Sequence, residues 1–179
     1  MAAQRMNSVR SFVLIALTVL FTGACMSQQS DDNANAPLPR KSRADTLSWA
    51  KQYTSAMAHY AQVDIAQDPA PRTHFEDCIG KDDEVADDGR FTLTYATYAR
   101  LPAQEHTAAV RKLRMELKKH GVDVSDYTEA PDRPAVTLFG KNKSEGYLII
   151  ADTVKPANTL RLSVSTGCFL PPGAEQQKF

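Results

Sequence analysis

The chain has 179 residues with 21 basic and 21 acidic side chains, so its formal net charge is zero. Hydrophobic residues make up 42% of the chain, which is enough to build one domain with a buried core. A balanced net charge gives no overall electrostatic signature of nucleic-acid binding, so the composition argues against DNA or RNA as a partner.

The N-terminus has the layout of a secretory signal peptide. Arg5 and Arg10 precede the apolar run Phe12–Phe21, and the small residues Gly23 and Ala24 follow it. A helix that spans a membrane needs roughly 20 apolar residues, so this short run predicts a leader over residues 1–24 rather than a permanent anchor.

A cysteine, Cys25, stands directly after these small residues. The segment resembles the leader of bacterial lipoprotein precursors, and the resemblance implies cleavage before Cys25 and attachment of at least two acyl chains there. Two chains anchor a protein stably, which would place it on the extracytoplasmic face of the cell membrane. Thr22 stands where that family usually has leucine, so cleavage after Ala24 and simple secretion stays open as an alternative.

Three cysteines occur in the chain, and an odd number in an exported protein needs an explanation. If Cys25 carries lipid, Cys78 and Cys168 remain, and extracytoplasmic compartments favour disulfides. We therefore predict a Cys78–Cys168 disulfide, the alternative being two unrelated free thiols. No Cys-x-x-Cys pair or paired Cys/His spacing is present, so the cysteines do not predict a zinc site.

A polar segment follows the cysteine. Residues 26–43 contain prolines and small polar side chains without apolar periodicity, which predicts a flexible linker over 25–43 and a globular domain over 44–179. The basic residues Arg40, Lys41 and Arg43 could contact anionic lipid headgroups or simply be solvated. The C-terminal residues 174–179 are expected to be loose.

Two helices are predicted in this domain. Apolar residues recur every three to four positions over Asp45–Val63, and Pro102 and Gly121 bracket a second, cationic amphipathic helix. His106 falls in the first turn of that helix, where solvent exposure is expected.

Five strands are predicted from alternation and turn residues. They are His74–Lys81, a strand that begins at Phe91, Ala135–Phe139, Gly146–Asp152 and Thr159–Ser165. The order α-β-β-α-β-β-β predicts an α+β fold, a single two-layer domain with an antiparallel sheet of about five strands packed against two helices. Val122–Tyr127 is a candidate for a further edge strand.

No motif for catalysis, phosphate binding or a cofactor is present, so we expect a protein that is not an enzyme. The acidic loop at Asp82–Asp88 lacks the spacing of an EF-hand and is interpreted as a solvated turn, with calcium binding the weaker alternative. Aromatic side chains of the first helix and second strand could frame a concave site for a ligand, namely Trp49, Tyr53, Tyr95 and Tyr98.

A second resemblance concerns the domain itself. The run Cys168-Phe169-Leu170-Pro171-Pro172 is similar to the end of small exported lipoproteins of high-GC Gram-positive bacteria, a resemblance that implies no catalytic residues. The sequence therefore predicts a membrane-tethered, non-enzymatic binding module for an envelope protein or a small ligand. The alternative is a structural or inhibitory lipoprotein that docks a partner through a sheet edge or its charged helix.

Overall fold

The computed structural model describes residues 35–80 and 82–178. The predicted leader and Cys25 lie outside these residues. None of the described helices combines the length and the apolarity that a membrane crossing requires.

Both predicted helices are present. Helix α1 spans Arg43–Ala61, and its N-terminus is capped by Ser42, whose hydroxyl accepts a hydrogen bond from the amide of Asp45 at 3.0 Å. Helix α2 spans Ala103–Lys119 after Pro102, and the chain leaves it through Gly121 at a φ of 76°. The capping and turn residues thus define the ends of both helices close to their predicted positions.

The strands form one antiparallel sheet in the spatial order β1-β2-β6-β5-β4-β3. Their bounds are β1 Arg72–Asp77, β2 Phe91–Arg100, β3 Asp123–Glu129, β4 Val136–Asn142, β5 Tyr147–Val154 and β6 Thr159–Ser165. The fold is α+β as predicted, but the sheet has six strands rather than about five. The additional strand, β3, lies at an edge of the sheet and overlaps the segment 122–127 that the sequence suggested as a further edge strand.

The hydrophobic core contains side chains from both helices and from the sheet. Leu93, Leu162 and Ile149 lie on three neighbouring strands and are fully buried together with Met57 of α1 and Leu113 of α2. Complete burial of side chains of this size contributes about 1.5–3 kcal/mol each. The alternating strand patterns therefore place their apolar residues in the same core as those of the helices.

The predicted disulfide is confirmed. Cys78 and Cys168 are bonded, with their Cα atoms 6.1 Å apart and 90 positions between them in sequence. The bond links the residue after β1 to the segment after β6. Closing a loop of this length restricts the unfolded chain strongly.

The residues directly before α1 pair with the C-terminal segment. Lys41 N donates to Leu170 O and Leu170 N donates to Pro39 O, both at 3.0 Å, and Gln176 exchanges side-chain hydrogen bonds with Leu38 N and Ala36 O. The flexible linker predicted for 25–43 and the loose end predicted after 174 therefore do not describe these residues. The hydrogen bonds of Pro39 and Lys41 with Leu170 join main-chain groups. The side-chain composition of the predicted linker therefore does not indicate this pairing.

Candidate functional site

Three aromatic side chains form a contiguous cluster beside α1. Trp49 and Tyr53 lie one helical turn apart with ring centroids separated by 5.5 Å, and Tyr147 at the start of β5 lies 5.0 Å from Trp49 and 4.9 Å from Tyr53. Both contacts of Tyr147 are edge-to-face, the arrangement that the charge distribution of aromatic rings favours. Tyr147 is buried, whereas Trp49 and Tyr53 are half-buried and keep part of their rings open.

Two adjoining cavities lie along this cluster, and Glu145 and Tyr147 line both. The first has a volume of about 320 Å³ and is lined by Pro39, Lys41, Trp49, Ser144, Glu145, Tyr147, Thr166 and Phe169. The second has a volume of about 270 Å³, and its lining includes Tyr53, Tyr60, His120, Asn142, Glu145 and Tyr147. We call the two together the aromatic groove. Their size suits a small molecule.

The turn between β4 and β5 holds one wall of the aromatic groove in place. The side-chain oxygen of Asn142 accepts from the amides of Ser144 and Glu145, each at 3.0 Å, and its Nδ2 donates to the hydroxyl of Tyr147 at 3.0 Å. Gly146 turns the chain at a φ of 73°, where residues with a side chain are strained. One buried asparagine thus organises the turn and orients the shared tyrosine.

The aromatic groove carries both charges and neutral donors. The ammonium of Lys41 lies 5.0 Å from the Trp49 ring centroid and 5.7 Å from that of Phe169, close enough for cation–π attraction. Glu145, in the turn between β4 and β5, supplies a carboxylate to the same cavity. Burial, assisted by hydrogen bonding with Tyr147, raises the pKa of the Tyr53 hydroxyl well above its ordinary value, so this hydroxyl stays protonated and able to donate.

The structure brings together only two of the four predicted ligand-facing residues. Tyr95 is 5% exposed and belongs to the core, and Tyr98 lies three positions further along β2, on the other face of the sheet, paired opposite Arg161. There Tyr98 lines a separate cavity of about 200 Å³. The odd spacing of the two tyrosines within an alternating strand already implies opposite faces.

Several groove residues were not identified from the sequence. Tyr147, Glu145, Lys41 and Phe169 come from the β4–β5 turn, the segment before α1 and the segment after β6. The one signal for Tyr147 in the sequence was that it directly follows Gly146, the last residue of the turn between β4 and β5. The others reach the groove through pairing of distant segments, which no local pattern reports.

His106 is not exposed as expected, and that prediction is wrong. The imidazole is fully buried, with Nδ1 2.9 Å from Thr153 Oγ1 and Nε2 3.1 Å from the carbonyl oxygen of Leu101. Burial lowers the pKa of His106. Both ring nitrogens thus have hydrogen-bond partners within the fold, as a buried polar side chain requires.

The acidic loop is closed by its own backbone. Gly80 N donates to Glu84 O at 2.8 Å, and Ile79 and Val85 form a bridge across the loop. Within residues 35–80 and 82–178, no three His, Cys, Asp or Glu side chains converge as a metal site would need.

Comparison of the chain with protein-family models, with curated proteins and with solved structures finds no match.

Proposed function

We propose that this chain is an extracytoplasmic, membrane-tethered binding module that takes a small ligand in the aromatic groove. The observation that carries the proposal is that Trp49, Tyr53 and Tyr147 contact one another along two adjoining cavities with a shared lining. A half-open, aromatic-walled space with a few fixed polar groups is the usual form of a small-molecule site. We also propose a two-layer arrangement, with both helices on one face of the sheet. In this arrangement the groove lies between α1 and the start of β5.

The lining defines the chemistry of the ligand. The open parts of Trp49 and Tyr53 offer flat apolar surfaces, which favour a ring or another flat face. Ser144, Glu145 and Thr166 provide a hydroxyl, a carboxylate and a second hydroxyl in the first cavity. We therefore infer an amphipathic ligand that stacks one face on the aromatic rings and directs polar groups to this edge.

The proposed location rests on the sequence and on the disulfide. The Cys78–Cys168 bond is of the kind that persists outside the reducing cytoplasm. Lipidation at Cys25 would then hold the domain at the outer surface of the cell membrane. Pro39 and Lys41, which line the first cavity, are the lining residues closest to Cys25 in sequence.

The chain contains a single tryptophan, Trp49, and this residue lies in the aromatic groove. Its fluorescence therefore reports occupancy directly. We would titrate the exported full-length Cys25→Ser protein with a panel of soluble aromatic compounds and saccharides and follow Trp49 emission. At least one member should give a saturable change.

A matched pair of variants distinguishes groove binding from general effects. Tyr147 and Tyr98 are 5% and 6% exposed, but only Tyr147 lies in the groove. Tyr147→Leu should weaken the binding about tenfold, or about 1.4 kcal/mol, whereas Tyr98→Leu should leave it unchanged. A panel without any saturable member, or equal loss in both variants, would contradict the proposal.

A second candidate function has an observation of its own. Phe139 and Leu148 are 41% and 47% exposed on neighbouring strands, on the sheet face opposite the core residues. This surface and the exposed edge strand β1 favour docking of an envelope protein, in a structural or inhibitory role. Phe139→Ser would then abolish capture of that partner and leave the Trp49 titration unchanged.

A further inference from the structure

A further cavity, unrelated to the aromatic groove, lies beside α2. Its volume is about 290 Å³, and it is lined by Arg111, Arg114, Met115, Lys118, Tyr127 and Glu129. Three cations and one carboxylate give this lining a formal charge of +2. The cavity lies between the helix and the edge strand β3, on two elements of regular structure.

The carboxylate in this cavity is already neutralised. Arg111 Nε donates to Glu129 Oε1 at 2.7 Å, a second guanidinium nitrogen donates to Oε2, and the hydroxyl of Tyr127 also donates to Glu129. A bidentate arginine–carboxylate pair satisfies both oxygens with fixed geometry. Glu129 is thus engaged by Arg111, which leaves the charges of Arg114 and Lys118 uncompensated within the lining.

Arg114 is held in a defined orientation. Its guanidinium carbon lies 4.4 Å from the ring centroid of Tyr127, and its Nε is buried without a hydrogen-bond partner in the part of the chain that the structure describes. Stacking on an aromatic ring fixes the plane of a guanidinium and with it the direction of its donors. Within residues 35–80 and 82–178, neither Arg114 nor Lys118 takes part in an ion pair.

Lys118 follows Arg114 by four positions, so both side chains lie on the same strip of the helix surface and line the same cavity. A planar guanidinium with an ammonium beside it matches the charge and the acceptor geometry of a tetrahedral oxyanion. We propose that Arg114 and Lys118, supported by Tyr127, form a binding site for a phosphate group.

The phosphate has two sources with the same chemistry, a lipid headgroup or a soluble phosphate ester. Met115 is 58% exposed in the same lining, and an apolar side chain among cations can contact acyl chains below a headgroup. The site does not depend on the function proposed for the aromatic groove. Failure of one leaves the other unaffected, because the two share no residue.

The test uses the exported full-length Cys25→Ser protein and two probes. Inorganic phosphate is titrated while the NMR signals of the Arg114 side chain and of Tyr127 are followed. In parallel, the protein is floated with phosphatidylcholine vesicles that contain or lack phosphatidylglycerol. We expect saturable shifts with phosphate in the millimolar range. Additional binding to the phosphatidylglycerol vesicles identifies a headgroup as the source, and its absence identifies a soluble ester.

A charge-matched control makes the test specific. Arg114→Gln with Lys118→Gln should weaken phosphate binding at least about tenfold. Lys112→Gln with Lys119→Gln removes the same charge from the same helix, outside the cavity, and should change binding less than about twofold. Arg114→Lys keeps the charge but loses the planar fork, and an intermediate loss is expected. Absence of saturable shifts, or equal loss in both double variants, overturns the proposal.

Discussion

Asp88 and Arg90 form a buried ion pair that holds the C-terminal segment. Arg90 Nε donates to Asp88 Oδ1 at 2.8 Å. The side chain of Arg90 is 2% exposed and that of Asp88 is 0% exposed. The same pair contacts Gln177, because Asp88 accepts from the Gln177 amide at 3.0 Å and Arg90 donates to the Gln177 carbonyl oxygen. The hydrogen bonds from Arg90 hold the pKa of Asp88 well below its ordinary value. An ion pair thus connects the start of β2 to the end of the described chain.

Removing one partner of this pair should be costly. Asp88→Asn removes the carboxylate charge to which the buried Arg90 guanidinium donates its hydrogen bonds, and we expect a loss of about 3 kcal/mol in the free energy of unfolding. Urea unfolding followed by circular dichroism measures it. Asp87→Asn is the matched control, since the exposed Asp87 is bonded to Gln177 through its amide only, and it should change stability by less than about 0.5 kcal/mol. Similar values for the two variants would show that the pair is dispensable.

His106 should make the stability of the domain depend on pH. Its folded-state pKa is lowered by burial, so below its ordinary pKa of about 6.5 the unfolded chain binds a proton that the folded chain resists. The stability that His106 contributes is therefore complete above pH 6.5 and declines as pH falls through the folded-state pKa. The slope from this one group is at most about 1.4 kcal/mol per pH unit.

Thermal unfolding between pH 7.5 and 5 measures this decline. His106→Gln should flatten the pH profile while lowering stability at neutral pH, because Thr153 and Leu101 lose their well-placed partner. His59→Gln makes the same replacement at an exposed position of α1 and is the matched control. An unchanged slope in His106→Gln would assign the pH dependence to other groups.

Local patterns in the sequence predicted the elements whose signals are local. Helix α1 was predicted from its apolar spacing alone, and α2 was predicted because its apolar spacing lies between the end signals Pro102 and Gly121. Strand β3 was only a suggestion, because its residues are exposed or half-buried and two consecutive ones, Ser125 and Asp126, are exposed where the register shifts. The disulfide was predicted from the odd number of cysteines and from the expected extracytoplasmic location of the protein, not from geometry.

Long-range pairing explains what sequence patterns missed. The partner of His106 on β5 is 47 positions away, so its first-turn position gave no hint of burial. The residues before α1 look like a linker by composition, yet their amides pair with the segment after β6. The same pairing brings Lys41 and Phe169 to the aromatic groove. Helical spacing placed Trp49 and Tyr53 next to each other on α1, whereas the other residues of the aromatic groove come together only through the topology of the fold.

Reducing the Cys78–Cys168 bond should destabilise the domain substantially. The chain-entropy argument gives about 4–5 kcal/mol for a loop of this length, with lower values common in practice. Thermal unfolding with and without dithiothreitol should show a large decrease for the Cys25→Ser protein. A protein with all three cysteines replaced by serine should unfold at the lower temperature and be indifferent to the reductant. Complete alkylation of both thiols in the non-reduced, exported protein would contradict a stable bond.

Lipidation at Cys25 predicts a clear change in location. Cys25→Ser removes the thiol that would carry the acyl chains, so the protein should move from the membrane fraction to the soluble exported fraction. Detergent phase partitioning of the two proteins measures the change. Ser27→Ala, two positions further along, is the control and should stay with the membrane. If both proteins stay with the membrane, another interaction holds the chain there, and the phosphate site on α2 becomes the first to test. If both are soluble, the chain is secreted after cleavage at Ala24, the alternative that Thr22 leaves open, and the groove then acts in a freely diffusing protein.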